Sequence, residues 1–122
     1  MRKIYLDHNA TTPVSKEVFD EMLPFYEYGF GNPSSAHSEG RTARVRLDES
    51  REQVADLIGA QSSEIVFTSG GSESNNFAIL GAAFAPGNKK RHIVTCEVEH
   101  AAILNPLKQL EGLGYRIERL PV

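Results

Sequence analysis

The sequence predicts an α/β fold with a mainly parallel sheet, and three observations carry that reading. The second half alternates short β-branched or aromatic runs with helical stretches. The connections between them are short, which favours parallel strands joined by helical crossovers. The first half is mostly helical, with apolar residues recurring on one face. At 122 residues the chain has room for one domain and a core of its own. Thirteen basic against sixteen acidic residues give a net charge of −3, which argues against general binding of nucleic acid. A single cysteine allows no internal disulfide and favours a reducing compartment. No apolar run is long enough to span a bilayer, and no apolar leader follows Met1-Arg2-Lys3. A soluble, cytoplasmic protein is expected.

Taken in order, Ile4-Tyr5-Leu6 reads as a short strand that stops at the turn-forming Asp7–Pro13 stretch. Ser15 can cap a helix with Val18, Phe19, Met22 and Leu23 on one face, and Pro24 should kink or end it. Residues 28–37 are dense in Gly, Asn, Pro and Ser and read as an ordered loop. From about Arg41 a second helix carries Ala43, Leu47, Val54, Leu57 and Ile58 in a stripe, with Gly59 as C-cap. Its outer charges, Arg44, Asp48, Arg51 and Glu52, fit a solvated face with ion pairs. Ile65-Val66-Phe67 reads as a strand leading into a helix with Phe77, Leu80 and Phe84 inward. Pro86-Gly87-Asn88 turns the chain into a strand at His92–Thr95. A helix with Ile103, Leu104, Leu107 and Leu110 follows, with Pro106 either in its first turn or distorting it. Tyr115–Leu120 reads as the last strand.

The strongest chemical signal is Ser69-Gly70-Gly71-Ser72-Glu73-Ser74, where a strand meets a helix. Free amides and the positive end of the helix dipole favour an anion such as phosphate there. The same residues also fit a plain Gly turn with a Ser N-cap and no ligand. They match neither a Walker A loop nor the Gly-x-Gly-x-x-Gly spacing. His100 follows the second strand, at the strand end where ligands bind in open parallel sheets. It can stack on a ring or move a proton, or it can be a helix-start histidine with no such role. Cys96, Glu97 and His100 offer a weaker metal reading, without a second Cys/His pair. Cys96 alone is best read as a small buried hydrophobe. The Gly31–His37 loop fits a structural Ω-type loop equally well.

Four segments in order, Tyr5–Pro13, Gly31–His37, Ile65–Asn76 and Glu99-His100, resemble the N-terminal part of cysteine desulfurases. These are class V aminotransferase-like enzymes that use pyridoxal 5′-phosphate, here of the iron–sulfur cluster assembly branch. The resemblance implies the N-terminal part of a fold-type-I pyridoxal-phosphate-dependent transferase. Residues 1–14 would belong to the small domain and 15–122 to the first part of the large, cofactor-binding domain. It implies that Gly71 and Ser72 hold the cofactor phosphate and that His100 stacks on its ring and is placed for proton transfer. Asn9, Ala10, Asn32 and His37 would lie near the substrate. Ser72 stands where many members have Thr, and Gly71 where many have Ala or Cys. The implied partners are L-cysteine, the second subunit of a homodimer, and an iron–sulfur scaffold or other sulfur acceptor. Selenocysteine lyase shares these motifs, and a non-catalytic module that binds a phosphorylated ligand or a partner protein is a different class of reading.

The family reaction also needs a lysine that attaches the cofactor, in a Ser/Gly-x-His-Lys segment. It needs an acid for the pyridine nitrogen, a mobile-loop cysteine and an arginine for the substrate carboxylate. None of these matches the present residues: Lys89-Lys90-Arg91-His92 has the reverse order, and Cys96 does not correspond to the loop cysteine. In the family's sheet the first strand lies across from the next two, with later strands between. Ile65–Phe67 would then not neighbour His92–Thr95. A piece of a longer enzyme, or one half of a split one, is expected, inactive and poorly stable alone.

Overall fold

The computed structural model describes residues 4–122; Met1, Arg2 and Lys3, on which the leader reading and the start of the 1–14 segment fall, lie outside the described residues. The elements are α1 (Lys16–Glu27), α2 (Ser38–Ile58), a 3-10 turn (Ser62–Glu64), α3 (Gly71–Phe84), β1 (His92–Cys96), α4 (Ala101–Gly112) and β2 (Arg116–Leu120). They form two compact units, Met1–Val66 and Phe67–Val122.

In the first unit α1 begins where its cap requires, with the Val18 amide donating to Ser15 Oγ at 3.3 Å. Pro24 does not end the helix. The chain stays helical to Glu27, and the Tyr28 and Gly29 amides both donate to the Pro24 carbonyl. Val18, Phe19, Met22 and Leu23 do share a face, but each is 38–53% exposed and α1 buries no residue. Helix α2 starts three residues before Arg41 because His37 caps it: His37 Nδ1 accepts from the Gly40 amide at 3.3 Å. The Gly31–His37 loop folds back on this first turn. A Cβ on Gly40 would lie 2.3 Å from the Ser35 carbonyl oxygen, and one on Gly31 would lie 2.2 Å from that of Glu39. Only glycine permits so close an approach of backbone to backbone.

Gly59 ends α2 in the left-handed conformation, φ 68°, as its position predicts. Ala55 is buried, whereas Leu57 and Ile58 of the expected stripe remain exposed. Arg44 and Arg51 both pair with Asp48, at 2.9 and 2.6 Å. Arg51 Nε also donates to the Ile65 carbonyl, which ties the segment after the 3-10 turn to α2.

The second unit contains the sheet. β1 and β2 are parallel, with His92 opposite Arg116 and Cys96 opposite Leu120, and α4 forms the crossover. Among the described residues the sheet has these two strands and no third, so Ile4–Leu6 and Ile65–Phe67 are not strands here. An apolar run becomes a strand only where another strand supplies its ladder. The core consists of Ala83, Leu107, Leu110 and Tyr115, with Ile79, Leu80, Ile93, Ile103 and Ile117 packed around it. The inward face of α3 is therefore Ile79, Leu80 and Ala83. Phe77 and Phe84, expected inward, are 61% and 54% exposed, because the small Ala83 is what allows α4 to approach. Pro106 lies inside α4 beyond its first turn, buried. It supplies no amide to the Ala102 carbonyl, and its ring takes part in the packed face instead.

Tyr115 fixes the direction of the two helices. Its hydroxyl donates to the Ala83 carbonyl in the last turn of α3 at 2.7 Å, and its amide donates to Leu110 in the last turn of α4 at 3.0 Å. The C-terminal ends of α3 and α4 thus lie together. The helices pack along each other, so they run in the same direction and their N-termini share the opposite end.

Candidate active site

That shared end carries the residues singled out by sequence. Gly71 is the first residue of α3, preceded by Gly70 in an extended conformation, and no side chain caps the helix start. Neither glycine lies in the left-handed region, so the backbone conformation of the turn does not itself require glycine. A Cβ on Gly70 or Gly71 would meet nothing within 4 Å. The chain's own packing therefore does not demand glycine here, and the backbone at the helix start is left open to approach.

The hydroxyls around this turn divide into two kinds. Thr68 Oγ1 and Ser74 Oγ are 2.6 Å apart, and both reach the Gly70 carbonyl, at 3.2 and 3.3 Å. The Ser69 amide and hydroxyl both donate to Glu73 Oε2, at 2.6 and 2.7 Å. These two donors, the backbone one first, hold the Glu73 carboxyl below its ordinary range. Thr68, Ser69 and Ser74 are thus engaged within the turn, while the exposed Ser72 hydroxyl has no partner among the described residues. What is left facing outward is the donor set suited to a phosphate: the first amides of a helix and one hydroxyl. The residues present therefore fit the phosphate of a cofactor.

His100 is the N-cap of α4, and its Nδ1 accepts from the Ala102 amide at 3.1 Å. Accepting there places the proton of the neutral ring on Nε2. The ring is exposed, with Nε2 turned away from the capping bond. The helix-start reading is thus what the structure shows, and the capping bond fixes the orientation of an exposed ring. Cys96 ends β1, with its thiol donating to Glu99 Oε1 at 3.4 Å. Half-buried, it is more polar in its surroundings than the sequence suggested. No three His, Cys, Asp or Glu side chains among the described residues are grouped to hold a metal.

The remaining candidates lie in the first unit. Asn9 and Ala10 form an exposed turn in which the Ala10 amide donates to the Asp7 carbonyl at 3.1 Å. The Tyr5 hydroxyl braces that turn by donating to the Asp7 and Thr11 carbonyls. Asn32 Oδ1 accepts from the Ser34 amide at 2.9 Å, and His37 caps α2. The sequence gives no role to Glu73 or Thr68 and suggests Ser74 as a further donor to an anion, whereas its hydroxyl is engaged with Thr68 and the Gly70 carbonyl. The signal was present: an acid at the third position of a helix commonly reaches back to donors before it.

Comparison with known proteins decides the family. The class-V aminotransferase family matches residues 4–122. The chain belongs to that family. Members of this family are dependent on pyridoxal 5′-phosphate, which agrees with the donor set at the start of α3. Cysteine desulfurase IscS of Dictyoglomus turgidum is 55% identical over 99% of this chain. The putative cysteine desulfurase IscS 1 of Bacillus subtilis is 49% identical over the whole chain. The mitochondrial cysteine desulfurase of Drosophila melanogaster is 46% identical over 99% of it. A solved NifS-like protein superposes on 99% of the chain with a TM-score of 0.89 and 40% identity, the chain covering 33% of it. SspA in complex with cysteine gives a TM-score of 0.85 at 45% identity over 95% of the chain, which covers 33% of that protein. The chain spans 31%, 32% and 26% of the length of the three curated relatives, a quarter to a third. No helix among the described residues is long and apolar enough to cross a membrane.

Proposed function

We propose that these 122 residues are the N-terminal third of a pyridoxal-phosphate-dependent cysteine desulfurase, which converts L-cysteine to L-alanine and passes the sulfur on as a persulfide. The observation that carries this is the open start of α3, where Gly71 and Ser72 offer donors that no group among the described residues takes up. Gly71 and Ser72 would hold the phosphate through the helix's first amides and the Ser72 hydroxyl. His100, oriented by its cap, would lie on the ring and hold a proton at Nε2. When bound, the cofactor draws electrons from the substrate's α-carbon, the chemistry that no side chain of this chain supplies. The net reaction balances as cysteine plus a thiol giving alanine plus a persulfide. The thiol and the cofactor-attaching lysine would come from the rest of the longer protein.

Asn9 and Ala10, in residues 1–14 of a small domain, and Asn32 and His37, within the large domain that starts at residue 15, would border the substrate. L-cysteine as substrate is supported by the relatives' names and by the SspA complex with cysteine. A homodimer, an iron–sulfur scaffold or other sulfur acceptor as recipient, and a cytoplasmic location complete the reading. The test joins residues 1–122 to the remaining two-thirds of the Dictyoglomus turgidum relative. The fusion should be yellow with pyridoxal phosphate and release alanine from L-cysteine in the presence of a thiol. A folded but colourless fusion that forms no alanine would refute it, and alanine from selenocysteine alone would replace it with a selenocysteine lyase.

A further inference from the structure

Glu73 belongs to none of the groups that would touch the cofactor, yet it sits one residue after the pair that would. A carboxylate at the third position of α3 gains from the helix dipole. It also repels the dianion that the first two positions are suited to hold. The geometry offers a compensating role. Glu73 Oε2 takes both donors of Ser69, the amide at 2.6 Å and the hydroxyl at 2.7 Å. Flanking the same residues in sequence, Thr68 Oγ1 and Ser74 Oγ close a second clasp at 2.6 Å. Gly70 and Gly71, the freest residues in the turn, are thereby spanned by two nested clasps.

We propose that Glu73 is a positioning residue for the cofactor: by taking both donors of Ser69 it fixes the turn in the arrangement in which Gly71 and Ser72 present theirs outward. This rests on the reading of Gly71 and Ser72 as the phosphate-holding pair. The clasp sorts the donors. Ser69 lies before the helix, so its amide and hydroxyl, if released, would swing with the flexible glycines and blur the site. Fixed to Glu73, they leave one set of donors in one arrangement, and that pre-organisation lowers the ordering cost of binding. The role requires an acceptor oxygen at this place rather than a charge.

The test uses the fusion described above, wild type, Glu73→Gln and Glu73→Ala, and compares retention of pyridoxal phosphate with retention of pyridoxal plus inorganic phosphate. Glutamine keeps an acceptor oxygen and alanine removes it. Glu73→Ala should lose about ten-fold in pyridoxal phosphate affinity while keeping pyridoxal affinity within about two-fold, and Glu73→Gln should stay within about three-fold of wild type for both. Equal loss of both ligands in Glu73→Ala means general unfolding of the turn and overturns the proposal, as does unchanged retention. Glu73→Gln behaving like Glu73→Ala makes the charge, not the clasp, the agent and also overturns it. A wild-type fusion that does not take up pyridoxal phosphate refutes the desulfurase reading itself, and this inference with it.

Discussion

Replacing Tyr115 with phenylalanine tests how the second unit aligns its two helices. The ring is 5% exposed, and its hydroxyl donates to the Ala83 carbonyl at 2.7 Å, 32 residues away in sequence. Phenylalanine keeps the packing and the contact with the Arg91 guanidinium, which lies 4.6 Å from the ring centroid. It removes only the donor. The Ala83 carbonyl sits in the last turn of α3, where intrahelical donors run out. Leaving a buried acceptor without its partner costs about 1–3 kcal/mol, and discounting for partial access of water to a helix end gives about 1–2 kcal/mol. That free energy corresponds to roughly a five- to thirty-fold change in the open fraction of the unit. Amide hydrogen exchange reads it directly: amides of β1, β2 and α4 should exchange faster in Tyr115→Phe by this factor. The fusion protein should show the same ordering of protected amides. Unchanged exchange in β1 and β2 would show that the hydroxyl does not hold the helix ends together, and the argument that α3 and α4 start at the same end would lose its anchor.

The other predictions concern the loop, the cap and the clasp. Gly40→Ala should break the fold-back of the Gly31–His37 loop, because the new methyl would lie 2.3 Å from the Ser35 oxygen and 2.7 Å from that of Asn32; faster exchange at the start of α2, with the α2 C-terminus unchanged, is the expected readout. His100→Asn keeps a capping acceptor and removes the ring, whereas His100→Ala removes both. Alanine should destabilise α4 by about 1 kcal/mol and asparagine by only a few tenths, measured by urea unfolding, while both should abolish alanine release in the fusion. Glu73 should titrate below its ordinary 4.5, the Ser69 donors favouring its charged form. Its folded-state value being the lower one, its contribution to stability is present above about pH 4.5 and lost as the pH falls through that lower value. A carbon-13 titration of the Glu73 carboxyl at or above 4.5 would show that the clasp does not form in solution.

Much of this was legible in the chain itself, and the misses have physical causes. Ser15 and Gly59 mark a helix start and end because capping chemistry is local and needs no partner from elsewhere. The β1–α4–β2 unit was equally readable, since a short apolar run, a crossover helix and a second run close on themselves. Ile65–Phe67 was misread because its composition is that of a strand, and whether a strand forms depends on a neighbour that composition does not reveal. Phe77 and Phe84 were misplaced for a related reason. Size suggested burial, but the close α3–α4 contact selects the small Ala83. In the site, Gly71, Ser72 and His100 were marked by the motif. The clasp by Glu73 and the caps by His37 and His100 were not, since histidine is an uncommon cap and side-chain reach within a turn is set by three-dimensional geometry.

In the proposed enzyme this segment supplies the phosphate-holding and ring-facing side of a pyridoxal phosphate site. Amide and side-chain resonances of the fusion, followed as pyridoxal phosphate is added, test it most directly. The largest shifts should fall at the Gly71 and Ser72 amides and at the His100 ring. Shifts confined to other residues, with Gly71, Ser72 and His100 unmoved, would contradict it.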